Sequence, residues 1–455
     1  MAFSKKTNLS LPSQIPFKFS GISRENTGKI NANNRATKNL FFMYIDYRRI
    51  LVYTLCMTYL AKLGELTLKG SNIQEFENLL RHNVSKCLEG TGCRTILRAG
   101  RLYIECDDDK EDELGPKIEF MLNHIIGITG WAKCQVCEKE LEVISKTAFE
   151  VAKKQADKGA KTFKIDSRRS DKGFPLNSYE LSCEVAGPIE SLMKVDVHNP
   201  DCIIYIEVRE KVFIYCDNEK GCRGLPVGSS GKGLLLLSGG LDSPVAGYRM
   251  LRRGMKIECC YFHSYPYTSE EAKQKVVTLA QKLAYYGIQT YLNIIPFTDV
   301  QMRIKEKAPE AWSTLILRVC MMKVANMLAK RCNAKCIITG ESVGQVASQT
   351  IENMTVTESF SEFPMMRPCC GLDKEEIIKT AEEIDTYETS ILPYEDCCVL
   401  FSPRHPVLRG KVEDARAIYE GLEVDDLIKK AYEEREIVKL TFEDQAEWKC
   451  KNEEE

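Results

Sequence analysis

Residues Leu234–Ser243 read LLLLSGGLDS. The leucines belong to an apolar run that predicts a β-strand over Gly233–Leu237. A helix is predicted to follow over Pro244–Arg252, because Pro244 suits a first helical turn and Gly254 suits a stop. The strand therefore runs directly into a serine- and glycine-rich turn and then into a helix. In parallel sheets such junctions lie at the carboxyl edge, where ligands bind.

The turn between this strand and helix has the chemistry of a phosphate cradle. Gly239 and Gly240 carry no side chain, so backbone N–H groups can approach an anion closely. Ser238 and Ser243 add hydroxyl donors, and the N-terminus of the following helix adds partial positive charge. No Lys-Ser/Thr pair follows at the spacing of a Walker A loop, which excludes that motif. The alternative is a glycine-rich turn without a ligand.

Strands and helices alternate after this turn. The predicted strands are Ile257–Phe262, Thr290–Ile295 and Lys335–Thr339, and the predicted helices between them are Glu270–Tyr286 and Ala311–Arg331. Alternation of this kind is typical of α/β proteins in which helices cover both faces of a parallel sheet. We therefore predict a doubly wound parallel sheet for residues 233–440, with the cradle at its carboxyl edge.

The sequence before the turn has a different organisation, with two α+β units predicted. In the first, residues 57–117, a strand, a helix and a hairpin follow one another, and a further helix near Ile118–His124 completes a ferredoxin-like pattern. The second, residues 118–220, contains predicted helices over Leu141–Asp157 and Ser178–Val195 and paired strands over Cys202–Val208 and Lys211–Cys216. Residues 221–232 are rich in glycine and are predicted to form a linker.

The overall composition is typical of a soluble globular protein, since 44% of the 455 residues are hydrophobic and 28% are charged. The net charge of −2 argues mildly against a nucleic-acid partner, but only the contacting face has to be basic.

Residues 1–56 are predicted to be disordered or a non-conserved extension, with a transit peptide as the alternative, and residues 441–455 are predicted to be a charged tail. No membrane span is predicted, because Asp46, Arg48 and Arg49 interrupt the apolar stretch Leu40–Leu60.

The chain has 20 cysteines, which are scattered rather than concentrated in a short secreted domain. We expect a reducing cytoplasm in which most thiols are buried and inert. Cys134 and Cys137 form a CxxC pair, but no second pair stands at zinc spacing, so no metal site is predicted from the cysteines. Cys259, Cys260 and Cys320 lie in apolar stretches and are predicted to be core residues.

The motif SGG-x-DS at Ser238–Ser243 resembles the PP-loop of ATP pyrophosphatases, which cleave ATP between its α and β phosphates and transfer AMP to a substrate oxygen. GMP, NAD and argininosuccinate synthetases and tRNA thiolases share that loop. Further stretches resemble the tRNA 4-thiouridine synthetase (ThiI) family, namely Gly64–Asn72, Phe163–Lys172, Gly221–Gly233, Phe262–Ser264 and Thr339–Thr350. The resemblance runs from about Met57 to about Pro403 and implies ferredoxin-like, THUMP and PP-loop domains in that order.

The resemblance also implies an ATP site. The residues implied to contact ATP are Leu236, Leu237, Ser238, Gly239, Gly240, Asp242, Ser243, Tyr261, Phe262, Arg318, Gly340 and Gln349. Asp242 is assigned a catalytic role and would help to hold Mg²⁺ on the phosphates, with a helix N-cap as its alternative. Arg318 lies in the apolar run Leu315–Val319, where a charge needs a partner such as phosphate. A salt bridge or an exposed helix face is the alternative for this arginine.

Sulfur chemistry is predicted for the loop Leu392–Leu400, which resembles the family loop that bears the catalytic cysteine. Counted from Lys374, the family cysteine falls on Cys397, with Cys398 one position away as the alternative. Lys374 is implied to act on phosphate or on the oxyanion, and its alternative is an exposed lysine at the start of a helix. Many family members continue into a rhodanese-like domain, for which too few residues follow Ile437, so a cysteine desulfurase is the expected sulfur source.

A basic cluster over residues 161–172 predicts the RNA-binding face. The cluster resembles part of the THUMP domain, which binds the acceptor end of tRNA, and the residues implied to contact RNA are Lys164, Arg168, Arg169 and Lys172. Contacts of this kind to phosphates supply salt-dependent affinity that is largely independent of sequence. The alternative is a solvated charged face.

Together these features predict an ATP-dependent tRNA uridine 4-sulfurtransferase. It would adenylate the C4 oxygen of a uridine, position eight in the family, and replace that oxygen with persulfide sulfur. The implied cofactors are ATP and Mg²⁺, and the implied partners are tRNA and a cysteine desulfurase; a thiamine sulfur-carrier protein and a homodimer are left open. The alternatives are another PP-loop synthetase, a tRNA-binding protein without catalysis, and a sulfur-relay protein for thiamine.

Overall fold

The computed structural model describes residues 56–68, 70–216, 218–394 and 403–444. Within these residues the backbone forms two β-sheets with helices packed against them. The predicted catalytic Cys397, its alternative Cys398 and residues 1–55 of the predicted extension lie outside the described residues.

The first sheet is built from the N-terminal half of the described chain. Its strands are β1 (Cys56–Leu63), β2 (Arg94–Arg98), β3 (Arg101–Asp107), β4 (Ile128–Cys137), β5 (Thr162–Arg169), β6 (Lys194–Val195), β7 (Cys202–Val208), β8 (Val212–Tyr215) and β9 (Glu219–Lys220). Its helices are α1 (Ile73–Cys87), α2 (Glu111–His124), α3 (Leu141–Asp157) and α4 (Ser178–Ile189). The strand order is β2-β3-β1-β4-β8-β7-β5-β6, and β9 pairs with β4.

Strand β4 joins the two predicted α+β units into this one sheet. It pairs antiparallel with β1, where Thr58 faces Cys134, and with β8, where Gln135 faces Ile214. The helices of the two units cover separate hydrophobic cores, α1 and α2 one and α3 and α4 the other. The boundary predicted between residues 117 and 118 falls inside helix α2. The two units therefore have separate hydrophobic cores but share one continuous β-sheet.

Helix α4 is shorter than the sequence predicts. It ends at Ile189, and Lys194–Val195 instead forms strand β6, which pairs parallel with β5. Gly187 and Pro188 have low helix propensity and occupy the last turn. The prediction of one helix over Ser178–Val195 was wrong because pairing at the sheet edge satisfies the backbone beyond this weak turn.

The hairpin of β2 and β3 carries a disulfide that the scattered cysteines did not predict. Arg94 faces Glu105 in the hairpin register, so the neighbouring residues Cys93 and Cys106 are also brought together. Their Cα atoms lie 4.7 Å apart and their sulfurs are bonded, within the range that a disulfide requires. This pair is an exception to the expectation that most thiols are buried and inert.

The glycine-rich segment 221–232 is packed against both halves of the molecule. Leu225 and Val227 are buried, and the Val227 carbonyl accepts a hydrogen bond from the Asn83 side chain of α1 at 3.0 Å. Gly224 has a φ of +77°, and a Cβ there would lie 2.3 Å from the backbone oxygen of Arg252. Glycine is therefore required at this close crossing of two chain segments.

The second sheet is built from the C-terminal half. Its strands are β10 (Lys232–Leu236), β11 (Lys256–His263), β12 (Gln289–Pro296), β13 (Cys336–Ile338), β14 (Met365–Met366) and β15 (Glu436–Thr441). Its helices are α5 (Asp242–Arg252), α6 (Glu270–Gly287), α7 (Thr298–Lys307), α8 (Ser313–Cys332), α9 (Ile351–Glu358), α10 (Lys374–Glu383), α11 (Tyr387–Ser390), α12 (Val412–Leu422) and α13 (Asp425–Glu433). The strand order is β14-β13-β10-β11-β12-β15. The first five strands are parallel, which confirms the predicted α/β sheet.

The antiparallel edge strand β15 was not predicted. It pairs with β12, where Leu292 faces Val438. Along the strand Leu440 alone is fully buried, because an edge strand has solvent on one side. Such partial burial gives too weak a hydrophobic alternation to be recognised in the sequence.

Helix α8 is the central helix of this domain. The segment Glu310–Cys332 is apolar and long enough to cross a membrane by length and composition, but 67% of its most apolar window is buried inside the protein. Cys320 is buried on this helix, and Cys259 and Cys260 are buried in β11, as predicted. Burial raises the pKa of the Cys259 thiol to about 12, so this thiol stays protonated near neutral pH.

Candidate active site

The carboxyl ends of β10, β11 and β13 border a crevice of about 280 Å³. Ten of the residues predicted to contact ATP line it, namely Leu236, Leu237, Ser238, Asp242, Ser243, Tyr261, Phe262, Arg318, Gly340 and Gln349. The remaining two, Gly239 and Gly240, lie in the loop between Ser238 and Asp242. The structure therefore brings the twelve residues that were predicted to contact ATP to this crevice and its adjoining loop.

Two serines fix the loop that follows β10, residues 238–243, here called the serine loop. The Ser243 hydroxyl accepts a hydrogen bond from the backbone N–H of Ser238 at 2.9 Å and lies 3.1 Å from the Ser238 hydroxyl. The Ser238 hydroxyl in turn accepts from the N–H of Gly240 at 3.2 Å. The loop thus holds its shape through internal hydrogen bonds, and its end forms the start of helix α5. A preformed loop at a helix N-terminus suits an anion, because partial positive charge collects there.

Gly340 brings the segment after β13 against the start of α5. A Cβ at this position would lie 2.6 Å from the backbone nitrogen of Ser243, closer than real Cβ contacts. Glycine therefore allows an approach that any side chain would prevent unless the backbone shifted. The close packing places Glu341 and the residues after it beside the serine loop.

The Asp242 carboxylate is bound at both of its oxygens. Lys374 Nζ lies 3.1 Å from Oδ1, and Gln345 Nε2 donates to Oδ2 at 3.0 Å. Helix α5 begins at Asp242 with Leu241 as its N-cap, so the alternative of Asp242 as the N-cap was wrong. Lys374 is the first residue of α10 and 47% of its side chain is exposed. The structure thus joins the two residues that were assigned to catalysis within the described part of the chain.

Arg318 extends from helix α8 to the crevice and is held by a buried carboxylate. Its Nη2 lies 2.8 Å from Glu341 Oε1, and its Nη1 donates to the Ser348 hydroxyl at 2.8 Å. Glu341 also accepts from Arg367 Nε at 2.8 Å and from the Thr339 hydroxyl at 2.9 Å. Burial by itself would raise the pKa of the Glu341 carboxyl, but the two arginines outweigh it and hold that pKa below its usual value. Glu341 is therefore ionised and orients Arg318 beside the crevice.

Sequence reasoning missed the roles of Glu341, Gln345 and Arg367. The first two lie in the stretch Thr339–Thr350, which resembles the family, but that resemblance implied no role for either side chain. A signal for Glu341 was present, because a carboxylate directly after an apolar strand needs a partner when it is buried. Arg367 follows the two-residue strand β14, which has no recognisable sequence pattern.

Cys369 lies against the serine loop, although the sequence gave it no role there. Its Sγ is 3.7 Å from the backbone oxygen of Asp242. Burial raises the pKa of the Cys369 thiol to about 11, which disfavours the thiolate. The thiol is thus a packing group behind the loop. The sulfur-handling cysteine predicted at Cys397 lies outside the described residues, as does Cys398.

The two arginines of the basic cluster have different surroundings. Arg168 is 64% exposed and pairs with Asp166, which lies two residues away on β5, at 3.1 Å. Arg169 donates from Nη1 to the backbone oxygens of Phe174 and Leu176, at 2.9 Å and 3.1 Å. Arg168 therefore presents its charge to solvent, whereas Arg169 holds the loop after β5.

The two lysines of the cluster differ in the same way. Lys172 is exposed, while Lys164 is partly buried and donates from Nζ to the Val197 oxygen at 3.3 Å. Arg168 and Lys172 are thus the two solvent-exposed side chains among the four predicted RNA contacts.

The fold and the crevice define the class of protein. A parallel sheet with a serine- and glycine-rich anion loop at its carboxyl edge is the architecture of PP-loop enzymes. Family profiles agree with this class: the family described as "Thiamine biosynthesis protein (ThiI)" matches residues 228–424, the THUMP domain matches residues 138–217, and the ThiI ferredoxin-like domain matches residues 58–131.

Individual relatives identify the family. A probable tRNA sulfurtransferase of Treponema pallidum (strain Nichols) is 48% identical over 385 residues, which are 84% of this chain and 96% of the relative. Another, from Caldanaerobacter subterraneus subsp. tengcongensis, is 44% identical over 379 residues, 82% of this chain and 98% of the relative. A solved 4-thiouridine synthetase in complex with RNA and bound ATP matches with a TM-score of 0.77 at 35% identity, covering 84% of this chain and 99% of that one. The chain belongs to the tRNA sulfurtransferase (ThiI) family.

Proposed function

We propose that this enzyme uses ATP to adenylate the C4 oxygen of a uridine in tRNA, at position eight, and then replaces that oxygen with sulfur. The observation that carries the proposal is the ion pair of Asp242 and Lys374 beside the serine loop. A carboxylate and an ammonium at that place can serve both the phosphates and the reacting oxygen. The solved relative that holds RNA and ATP supports the same substrates here.

In the first step the C4 oxygen attacks the α-phosphorus of ATP, and pyrophosphate leaves with the electron pair of the broken P–O bond. Charge grows on the leaving pyrophosphate, which the serine loop and the N-terminus of α5 would stabilise. Arg318, oriented by Glu341, adds a fixed positive charge beside the crevice. Tyr261 and Phe262, buried at the end of β11, would give the adenine an apolar surface.

The residues at the loop suit a Mg²⁺ ion that is carried mainly by the phosphates of ATP. Mg²⁺ prefers one or two carboxylates together with phosphate oxygens, and Asp242 supplies such a carboxylate. In the described ranges no group of three or more acidic, histidine or cysteine side chains forms an all-protein cage. The ion would supply neutralisation of phosphate charge, and Asp242 would hold it.

In the second step the terminal sulfur of a persulfide attacks C4, and AMP leaves with the electron pair of the C4–O bond. The Cys397 thiolate then attacks the inner sulfur of the donor, which forms a disulfide and leaves the transferred sulfur on the nucleoside as 4-thiouridine. An external thiol reductant reduces that disulfide and restores Cys397. The proposed persulfide donor is a cysteine desulfurase, which passes its sulfur directly to the adenylated RNA.

RNA binding by the basic cluster can be tested at its accessible charges. Arg168→Ala combined with Lys172→Ala is expected to weaken tRNA binding and to reduce the slope of log affinity against log salt by about one for each lost phosphate contact. ATP binding should be unchanged, because the serine loop lies on the other sheet. Fluorescence anisotropy with labelled tRNA at several salt concentrations measures both effects.

The matched control is Lys153→Ala with Lys154→Ala. It removes two exposed charges from helix α3, which packs against the same sheet. Arg169→Ala is unsuitable, because it would free two backbone oxygens of the loop after β5. If the salt slopes of the test and control pairs agree, the cluster is a solvated face.

Glu341→Gln is expected to raise the KM for ATP by roughly tenfold, equivalent to about 1.4 kcal/mol, because a neutral amide no longer orients Arg318. A loss of stability on the order of 3 kcal/mol should accompany it, since the partly buried Arg318 guanidinium loses its carboxylate partner. Glu358→Gln is the control: this carboxylate also pairs with Arg367, at 2.6 Å, but it is 52% exposed. Equal KM values for the two variants would show that Glu341 does not act through Arg318.

The proposed setting is the cytoplasm, where tRNA, ATP and a cysteine desulfurase meet.

Sulfur supply to a thiamine sulfur-carrier protein is a second candidate function, favoured by the description of the matching family as a thiamine biosynthesis protein. Assembly as a homodimer stays a prediction. Mass spectrometry of tRNA nucleosides from a deletion strain decides between the two functions: 4-thiouridine should disappear, whereas normal 4-thiouridine with a requirement for thiazole would favour the thiamine role.

A further inference from the structure

A second cleft lies at the opposite ends of the helices that leave the active site. Helix α5 runs from Asp242 to Arg252 and helix α10 from Lys374 to Glu383, and the ends of both helices line this cleft of about 490 Å³. Its basic side chains are Arg223, Arg249, Arg252 and Arg253, which define what is here called the arginine cleft.

The positive charge of the arginine cleft is only partly neutralised. Arg253 pairs with Glu65 at 3.0 Å, and Glu383 is the second carboxylate that lines the cleft, against four arginines. Within the part of the chain that the structure describes, the guanidinium groups of Arg249 and Arg252 form no ion pair, and their Nε atoms are buried without a hydrogen-bond partner. Arg252 instead lies over the Tyr248 ring, 5.7 Å from its centroid. Two half-buried cations that share a cleft therefore lack a carboxylate partner within the described residues.

Cations without a counter-charge indicate an anionic ligand. A partly buried charge without a partner costs free energy, and two guanidinium groups that line one cleft can recover that cost by binding a shared anion. The planar guanidinium matches the oxygens of a phosphate group, which it can bind with two parallel hydrogen bonds. The net charge of the whole chain is −2, so this concentration of arginines does not simply follow from a basic protein.

We propose that the arginine cleft binds a backbone phosphate of the substrate RNA. The proposal rests on the proposed function, because it takes the bound RNA to be the one whose uridine is adenylated. At 1.5 Å per residue, α5 and α10 place the cleft roughly 15 Å from Asp242, within reach of an RNA held at the active site. The cleft is also bordered by Glu65 and Thr129 of the first sheet's domain, so a phosphate bound there would tie that domain to the PP-loop domain.

The test is tRNA binding by a variant with Arg223→Gln and Arg252→Gln, measured over a range of salt concentrations. We expect about tenfold weaker binding near physiological salt and a slope of log affinity against log salt reduced by about one, the change for one lost phosphate contact. With tRNA at saturation, kcat for 4-thiouridine formation should be unchanged and the KM for tRNA raised. Arg416→Gln, at an exposed position on helix α12, is the control. Arg223→Gln alone, at an exposed position, provides the test if the double variant does not fold.

A double variant with the same salt slope as Arg416→Gln would overturn the proposal. Free phosphate is the other source of the same chemistry. If inorganic phosphate at constant ionic strength stabilises the wild type but not the variant, while the salt slopes agree, the cleft is a small-anion site and the RNA assignment is wrong. The proposed function fails separately, if the wild type forms no 4-thiouridine at all.

Discussion

Asp242→Ala is expected to lower the rate of pyrophosphate release from ATP by at least about 100-fold, the cost of removing one preorganised charged group at a transition state. The carboxylate holds Lys374 and Gln345 beside the serine loop, and it is the group proposed to hold Mg²⁺. Its loss would misplace the lysine and remove a metal ligand in the same change. Binding of tRNA should stay nearly intact, because the basic cluster lies on the other sheet.

The control for this variant is Asp414→Ala. Asp414 is exposed and, like Asp242, lies in the first turn of its helix, so both changes remove an acidic group from a helix N-terminus. A coupled assay for pyrophosphate, with tRNA and ATP supplied, compares the two variants. Normal turnover by Asp242→Ala would show that the adenylation site lies elsewhere.

Cys397→Ser should form the adenylated RNA at the normal rate and yet fail to accumulate 4-thiouridine over repeated turnovers. Adenylation needs only the serine loop, ATP and the uridine oxygen, whereas serine can neither attack a sulfur nor form a disulfide. With a desulfurase, cysteine and a reductant supplied, we expect AMP-linked RNA to appear without a matching yield of thiolated product. The measurement is 4-thiouridine formed per enzyme.

Three further cysteine variants separate the alternatives for sulfur transfer. Cys398→Ser should be mild if Cys397 handles sulfur, and Cys369→Ser and Cys370→Ser should also be mild. Cys369 does lie beside Asp242, but its buried thiol has a raised pKa and is disfavoured as a nucleophile. If Cys398→Ser alone is inactive, the assignment is off by one residue. If Cys397→Ser and Cys398→Ser both turn over normally, sulfur does not pass through this loop.

The serine loop and its sheet could be predicted because local sequence specifies them strongly. The apolar run before Ser238 fits a buried parallel strand, and the glycines and serines after it have few other uses at a strand-to-helix junction. The strand β15 could not be predicted in the same way, because its edge position buries little of it. Helix α4 was predicted too long, because the pairing of Lys194–Val195 with β5 depends on a partner more than 20 residues away in the sequence, which local propensity does not describe.

The site was predicted as a set of positions and not as a set of contacts. Lys374 and Asp242 are 132 residues apart in the sequence, so their ion pair depends on how α10 packs beside α5. Likewise, Arg318 was predicted to need a partner, but phosphate and carboxylate were equally compatible with the sequence. The structure gives it Glu341, close enough to the crevice for the same arginine to serve ATP.

The most direct test of the account is an assay in which the purified protein is incubated with tRNA, ATP, Mg²⁺, cysteine, a cysteine desulfurase and a reductant. Chromatography measures the nucleotides that are formed, and mass spectrometry of the digested tRNA measures 4-thiouridine. The account predicts AMP and pyrophosphate, and 4-thiouridine at position eight in amounts that rise with AMP. Release of ADP and phosphate, or AMP formation without any thiolated uridine in the tRNA, would contradict it.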